Sequence, residues 1–280
     1  MAIVTISRGS MSGGEELARC LGARLHYPVL AREVLVEAAA TLGISEDILR
    51  EKIQMASGAV ETLREDRRIY LLALQSALAD RSVTGKLIYH GNAGHFLLKG
   101  LPGVLRVRLI APRQTRIREL VKRQGLAPDA AREYLDFVDR ERAQWTKFVY
   151  GVDWRDPKNY DLVIHLRDVT IEAACAMVSA VIALPAYAVT ENVKKGLRSF
   201  AFLCRIQLAL ARDSELRCFE FEVRAENGQV DIVWQLPRLG PGSPLRRPEE
   251  ARIRQAAMTV EGVKKVAIHL AGGQESGRAA

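Results

Sequence analysis

Residues 2–16 read AIVTISRGSMSGGEE and hold the strongest indication of fold in the chain. The first six of these residues are β-branched or small, which predicts a short strand at residues 2–7. Gly and Ser residues follow, and a helical pattern runs from Glu15 to about Leu25. A strand, a glycine-rich turn and a helix in this order open many nucleotide-binding α/β folds.

Further short apolar runs alternate with helical patterns downstream. The predicted strands are residues 87–90, 104–110 and 162–166, and the predicted helices are residues 32–42, 45–80, 112–124, 128–147 and 170–183. Strands that alternate with helices favour a parallel sheet covered by helices. We therefore predict an α/β domain over residues 1–184.

The pattern changes after Leu184 and Pro185. A long helix is predicted at 190–211, strands at 216–224 and 229–235, a Pro/Gly-rich loop at 237–248, a helix at 249–259 and a strand at 264–270. Asn227-Gly228 joins the first two strands and is the strongest short hairpin signal. We predict a small α+β domain over residues 188–271 and a disordered tail over 272–280.

Composition suits a globular protein with two domains, because the 280 residues are 48% hydrophobic and 26% charged. The net charge of +8 favours anionic partners such as nucleotides, although a solvated basic surface is an open alternative. Nucleic acid is an unlikely partner because the charge comes without an aromatic-plus-basic module. The N-terminus does not resemble a signal peptide, and apolar runs stay below about 18 residues, so we expect a cytoplasmic protein without a transmembrane segment.

A phosphate loop is written GxxxxGK[ST], and its backbone N–H groups cradle phosphates beside the positive end of the following helix. Gly9 and Gly14 have the spacing of its two glycines. Glu15 and Glu16 then stand at the lysine and Ser/Thr positions. The alternative is an ordinary glycine-rich turn whose acidic residues favour the helix start.

Other motifs follow this loop in a recognisable order. They are AREVL at 31–35, YHGNAGHF at 89–96, VRLIAP at 107–112, YGVDW at 150–154 and YDLVIH at 160–165. Together with IVTISRGS at 3–10 and SGG at 12–14, they resemble the cytidylate-kinase-like P-loop family over about residues 1–182. The resemblance implies a nucleoside-monophosphate-kinase fold with an ATP loop, a monophosphate-binding region and a mobile lid.

The resemblance also implies site residues and cofactors. The ATP loop would consist of Gly9, Ser10, Met11, Ser12, Gly13, Gly14, Glu15 and Glu16. ATP and Mg²⁺ are the implied cofactors, and Ser10 or Ser12 is the nearest candidate Mg²⁺ ligand. The predicted site contains no metal centre built from protein ligands alone.

On the acceptor side, the resemblance implies substrate binding by Arg32 and Asn92. Arg32 has an alternative as a surface residue at a helix start. Asn92 stands where the family often has an arginine, so it can donate a hydrogen bond but brings no charge. His95, three residues later, is expected to be structural.

Arg116, Arg140 and Arg142 are the implied catalytic residues, closing on the transferring phosphate with the bidentate geometry that suits guanidinium groups. Ion pairs with Asp136 and Asp139 within one helical region are the alternative for these arginines. Phosphoryl transfer depends mainly on positioning and charge neutralisation, so the sequence need not supply a nucleophile.

The sequence VEGVKKV at residues 260–266 ends the second domain, and this domain resembles a BON domain over about residues 188–270. BON domains are binding modules, so the resemblance implies a lipid or protein partner. A generic α+β packing domain is the alternative.

Two functions remain open from the sequence. The first is a nucleotide-binding phosphotransferase of the nucleoside-monophosphate-kinase type. The second is a degenerate kinase fold that serves as a nucleotide sensor or scaffold. Glu15 at the lysine position predicts weak ATP binding and a gain for Glu15→Lys, with Arg8 as a partial substitute from the strand side.

Overall fold

The computed structural model describes residues 2–49, 61–91, 94–235 and 249–270. Several sequence predictions fall outside these residues. They concern Asn92, the loop 237–248, the tail 272–280 and the middle of the helical stretch 45–80.

A parallel sheet forms the larger part of the fold. Its strands are β1 (Ile3–Arg8), β2 (Val29–Leu30), β3 (Leu87–Tyr89), β4 (Val104–Ile110) and β5 (Leu162–His165). They lie in the order β2-β3-β1-β4-β5, and each neighbouring pair is parallel. The predicted parallel α/β sheet is confirmed. Strand β2 was not predicted from the sequence, because two residues are too few to show an alternating pattern.

Helices connect the strands and cover both faces of the sheet. They are α1 (Gly14–Leu25), α2 (Arg32–Leu42), α3 (Glu61–Ser82), α4 (Gly94–Leu97), α5 (Arg113–Gln124), α6 (Pro128–Tyr150) and α7 (Ile171–Ile182), with short 3-10 helices at Pro157–Asn159 and Pro185–Tyr187. Helix α4 has one turn and was not predicted from the sequence.

Alternate side chains of the central strands enter two separate cores. Ile3 and Leu87 belong to a core with α2 and α3, whereas Val4, Ile6 and Ile88 belong to a core with α1 and α7. Burial on both faces explains why these strands are continuous apolar runs rather than alternating patterns.

A three-stranded sheet follows in the C-terminal part. It contains β6 (Glu220–Glu226), β7 (Gln229–Gln235) and β8 (Lys265–Leu270), and it packs with α8 (Glu191–Arg212) and α9 (Glu250–Met258). The hairpin turn falls at Asn227 and Gly228, whose φ angles of 51° and 85° suit the predicted dipeptide. The prediction that the first strand begins at Leu216 is wrong, because residues 216–219 form hydrogen-bonded turns instead.

Helix α8 has two apolar faces and packs in both directions. Leu197 and Leu208 belong to the core that contains α3, and Ala201 and Cys204 pack with Ala79 of α3. The other face of α8 packs under the three-stranded sheet. The two sheets are therefore joined through a shared helix, and the domain division at residues 184–188 stays a prediction.

Within the residues that the structure describes, no single helix is long and apolar enough to cross a membrane. Two consecutive helical segments, Ile171–Ile182 and Pro185–Arg212, reach that length and apolar content only when they are counted together, and they are bent by 81° relative to each other.

The shared helix leads to a prediction about stability. Leu197 is 1% exposed and lies in the core beside α3, so Leu197→Ala should lower the free energy of unfolding by about 2–5 kcal/mol. Met258→Ala removes a side chain that is 48% exposed and should change it by about 0.5 kcal/mol or less. Urea unfolding measures both values, and a Leu197→Ala result equal to the control would contradict the packing of α8 on α3.

Candidate active site

A cavity of about 410 Å³ lies where β1 and β4 end. In open parallel sheets, ligands bind outside the carboxyl ends of the strands. Its walls come from the loop after β1, the end of β4, helices α5 and α6, and the segment after α6. The polar side chains of this lining belong to Ser12, Arg108, Arg116, Asp136, Asp139, Arg140, Gln144, Trp154 and Arg155.

The loop between β1 and α1 turns sharply through two left-handed residues. Met11 has φ of 58° and Gly13 has φ of 76°, so the chain reverses within five residues and enters the helix at Gly14. Leu17 N–H donates to the Gly13 carbonyl at 3.0 Å, which closes the first helical turn. Since Gly9 and Ser12 line the cavity, the positive N-terminal end of α1 lies beside it.

Arg116, near the start of α5, connects this loop to α6. Its Nε donates to the Ser10 carbonyl at 2.7 Å, and its Nη1 and Nη2 donate to both carboxylate oxygens of Asp139 at 2.7 and 2.9 Å. A Cβ at position 9 would lie 3.0 Å from the Arg116 Cζ, so the glycine lets the guanidinium approach the loop. Arg116 therefore faces the cavity while it is paired with an acid of α6.

The other two predicted arginines lie on α6. Arg140 lines the cavity. Arg142 lies against the base of the loop, because its Nη1 donates to the Arg8 carbonyl at 2.7 Å and its guanidinium lies 5.4 Å from the centre of the Trp154 ring. Burial, reinforced by the charge of Arg8, lowers the pKa of Arg142 to about 10. The structure thus brings Arg116 and Arg140 to the cavity and Arg142 to the loop.

Arg108 on β4 is a cavity residue that the sequence reasoning did not assign. It is 7% exposed, its Nη1 donates to the Trp154 carbonyl at 2.5 Å, and its guanidinium lies 4.3 Å above the Trp154 ring. Its Nε is buried without a hydrogen-bond partner among the residues described. The available signal was a charged residue inside the apolar strand VLRVRLI, because buried charges are costly and usually have a purpose.

The acidic residues at the start of α1 have partners outside the cavity lining. The Glu15 carboxylate is 2.9 Å from Arg19 and 3.8 Å from Arg123, and Glu16 pairs with Arg123 as well. The Glu15 side chain is 55% exposed. This placement differs from the one expected for a residue at the lysine position of a phosphate loop.

Of the two residues that were predicted to bind the acceptor, the structure describes Arg32. Arg32 begins α2, and its Nε lies 2.8 and 2.6 Å from the two carboxylate oxygens of Glu46. This pairing raises the pKa of Arg32, and the side chain is 72% exposed. Arg32 is not part of the lining of the cavity described above, and Asn92 lies outside the described residues.

His95 is buried next to two aromatic rings. Its ring lies 3.9 Å from that of Phe96 and 4.8 Å from that of Tyr160. Burial, together with the charges of Arg106 and Arg108, lowers the pKa of His95 to about 3. The imidazole is therefore neutral at ordinary pH.

A parallel sheet of this strand order, with a glycine-rich loop from the central strand into α1 and arginines on the covering helices, defines a P-loop kinase fold. The sequence profile of the cytidylate kinase-like family matches residues 3–168. The chain belongs to the cytidylate kinase-like family.

Individual relatives agree with this assignment. Cytidylate kinase from Ignicoccus hospitalis is 29% identical over 168 residues, which are 59% of this chain and 90% of that protein. Cytidylate kinase from Methanothermobacter thermautotrophicus is 29% identical over 174 residues, 61% of this chain and 99% of that protein. The crystal structure of an uncharacterized protein from Eubacterium ventriosum superposes with a TM-score of 0.51 at 17% identity, covering 65% of this chain and 98% of that one. Family membership supports a nucleotide-kinase type of function.

The neutral state of His95 leads to a pH prediction. An unfolded histidine titrates near pH 6.5, and the folded pKa is depressed to about 3. The stability that this residue contributes is therefore fully present above about pH 6.5 and is lost as pH falls towards 3. Between pH 7.5 and 5.5 the wild type should lose about 1 kcal/mol more than His95→Gln.

Urea unfolding at the two pH values measures this difference. His165→Gln, in which an exposed histidine is replaced, is the control and should keep the pH dependence of the wild type. The same pH dependence in His95→Gln and the wild type would show that His95 is protonated as easily when folded as when unfolded.

Proposed function

We propose that this protein is an ATP-dependent phosphotransferase of the nucleoside-monophosphate-kinase type. The observation that carries the proposal is the meeting of Arg116 and Arg140 with the loop residues Gly9 and Ser12 around one cavity. The proposed reaction transfers the γ-phosphoryl group of ATP to a nucleoside monophosphate or a similar acceptor.

The chemistry of this reaction suits the available groups. Phosphoryl transfer needs positioning and neutralisation of the phosphate charge more than a protein nucleophile. Arg116 and Arg140 supply cationic donors, and the start of α1 supplies backbone N–H groups. Asp139 occupies Arg116 in the present state, so a bound phosphate would compete with that carboxylate for the guanidinium.

Mg²⁺ is the metal that the family implies, and the site offers oxygen atoms that fit it. Mg²⁺ is usually held by one or two protein oxygens together with phosphates and water. The Ser12 hydroxyl is buried beside Gly9 in the cavity lining and is the best-placed protein ligand. The described residues contain no cluster of three or more His, Cys, Asp or Glu side chains that could hold a metal without phosphate. When bound, Mg²⁺ would neutralise charge on the phosphates.

A nucleotide sensor without transferase activity is the second candidate. It is favoured by the lack of a lysine in residues 9–16 and by the pairing of Arg116 with Asp139. A sensor would bind nucleotide in the same cavity and leave the phosphate untransferred.

We also propose that residues 188–271 form a BON-like module that binds a lipid or protein partner. The order helix, hairpin, helix and strand over residues 191–270 supports this interpretation. Its attachment through α8 would keep the partner close to the kinase fold.

Arg140 is the residue that tests the proposed transfer. Arg140→Gln should lower kcat/KM by about a hundredfold or more, because an arginine on the transferring phosphate stabilises the transition state strongly. Arg132→Gln removes an arginine of the same helix that pairs with Asp129 outside the cavity lining, and it should keep the wild-type rate.

The measurement is a titration of ATP, ADP and the four nucleoside monophosphates, with and without Mg²⁺, combined with an assay of phosphoryl transfer. Binding of ATP without transfer to any monophosphate would favour the sensor. Failure to bind ATP at all would contradict both candidates.

A further inference from the structure

Gly14, the first residue of α1, leaves a space that another side chain fills. A Cβ built on Gly14 would lie 2.6 Å from Cδ, 2.7 Å from Cγ and 3.0 Å from Nε of Arg8. Distances below 3.0 Å are essentially never observed for a Cβ atom. The side chain of Arg8 therefore runs through the position where a side chain at residue 14 would begin.

Contacts of the main chain hold Arg8 in this place. It is the last residue of β1, and its carbonyl accepts the hydrogen bond from Arg142 Nη1 at 2.7 Å. The side chain packs across the first turn of α1 on the inner side, whereas Glu15 and Glu16 pair with arginines on the outer side. These contacts place the Arg8 side chain at an interior position beside the loop.

Arg8 also carries a buried charge, on which the charges of Glu15 and Glu16 act without forming an ion pair with it. Burial lowers its pKa, and the positive charge of Arg8 in turn lowers the pKa of Arg142. Its guanidinium forms no hydrogen bond or ion pair with any residue described here. Two cations that repel each other at a helix N-terminus would be stabilised by an anion bound between them.

The standard phosphate-loop pattern places its first glycine six residues before its lysine. If the lysine position is the first residue of α1, these positions are 8 and 14, where this chain has Arg8 and Gly14. Relative to the standard pattern, Arg8 therefore stands in place of the first glycine and Gly14 in place of the lysine. The Arg8 side chain nevertheless passes through the position where a lysine side chain at residue 14 would begin.

We propose that Arg8 supplies the phosphate-binding cation of the loop in place of the lysine, and that the loop register runs from residue 8 to residue 14. This inference rests on the proposed binding of ATP. In this register Glu15 is the second helical residue and does not face the phosphates, which agrees with its pairing to Arg19 and Arg123.

The first test removes the charge of Arg8. Arg8→Gln should weaken the binding of Mg·ATP in isothermal titration by about ten- to a hundredfold, the range for loss of a charged hydrogen bond. Arg8→Lys should retain most of the affinity. Arg19→Gln removes an exposed positive charge from the outer side of α1 and should bind as the wild type does. Thermal unfolding of each variant confirms that it is folded.

The second test distinguishes the two registers of the loop. Arg8→Gly with Gly14→Lys creates the standard pattern over residues 8–14 and should recover most of the affinity that Arg8→Gly alone loses. Arg8→Gly with Glu15→Lys adds the same charge one residue later and should not recover it.

Recovery by the substitution at residue 15 rather than at residue 14 would overturn the proposal. So would a folded Arg8→Gln protein that binds Mg·ATP as tightly as the wild type, although the proposed function would then stand. Failure of the wild type itself to bind Mg·ATP would contradict the proposed function and this inference together.

Discussion

The guanidinium of Arg116 connects three of the elements that surround the cavity. It belongs to α5, donates to a carbonyl of the loop after β1 and forms a two-point ion pair with Asp139 of α6. Only 12% of this side chain is exposed, so the interaction is less screened than a surface ion pair. Arg142 gives the long helix α6 a second polar attachment, to the base of the loop, whereas the apolar contacts of α6 with α5 lie around Ile117 and Leu135.

The ion pair between Arg116 and Asp139 also determines which groups are already paired when no ligand is bound. Asp139 satisfies the donors of Arg116 in the present state, and it offsets part of the repulsion among Arg108, Arg116 and Arg142. A phosphate group at Arg116 would replace one anionic partner by another. Asp139 belongs to α6 and Arg116 to α5, so such an exchange would act on the ion pair that joins these two helices.

Most of the fold was predictable because strands that are buried on both faces appear in the sequence as continuous apolar runs. The apolar runs at β1 and β4, the shorter run at the edge strand β5 and the helical patterns between them identify a covered parallel sheet. Two elements escaped prediction because they are too short for periodicity, namely β2 with two residues and α4 with four. The start of β6 was misplaced because Leu216 and Phe219 are as apolar as strand residues but are buried from a turn. The packing of α8 on α3 could not be read from the sequence, since both faces of that helix are apolar.

The arginines that the family resemblance selected are partly those that meet at the cavity. Glycine spacing alone, however, does not determine the register of the loop. Two glycines five apart occur at residues 9 and 14, and they match the motif without regard to where the helix begins. The helix begins at Gly14, which places residue 15 one step around the axis, about 100° from the first position. That rotation is enough to direct the Glu15 carboxylate to Arg19 and Arg123 rather than towards the loop. The direction in which a charged side chain points at a helix start therefore depends on the residue at which the first turn begins. Glycine spacing alone does not determine that direction.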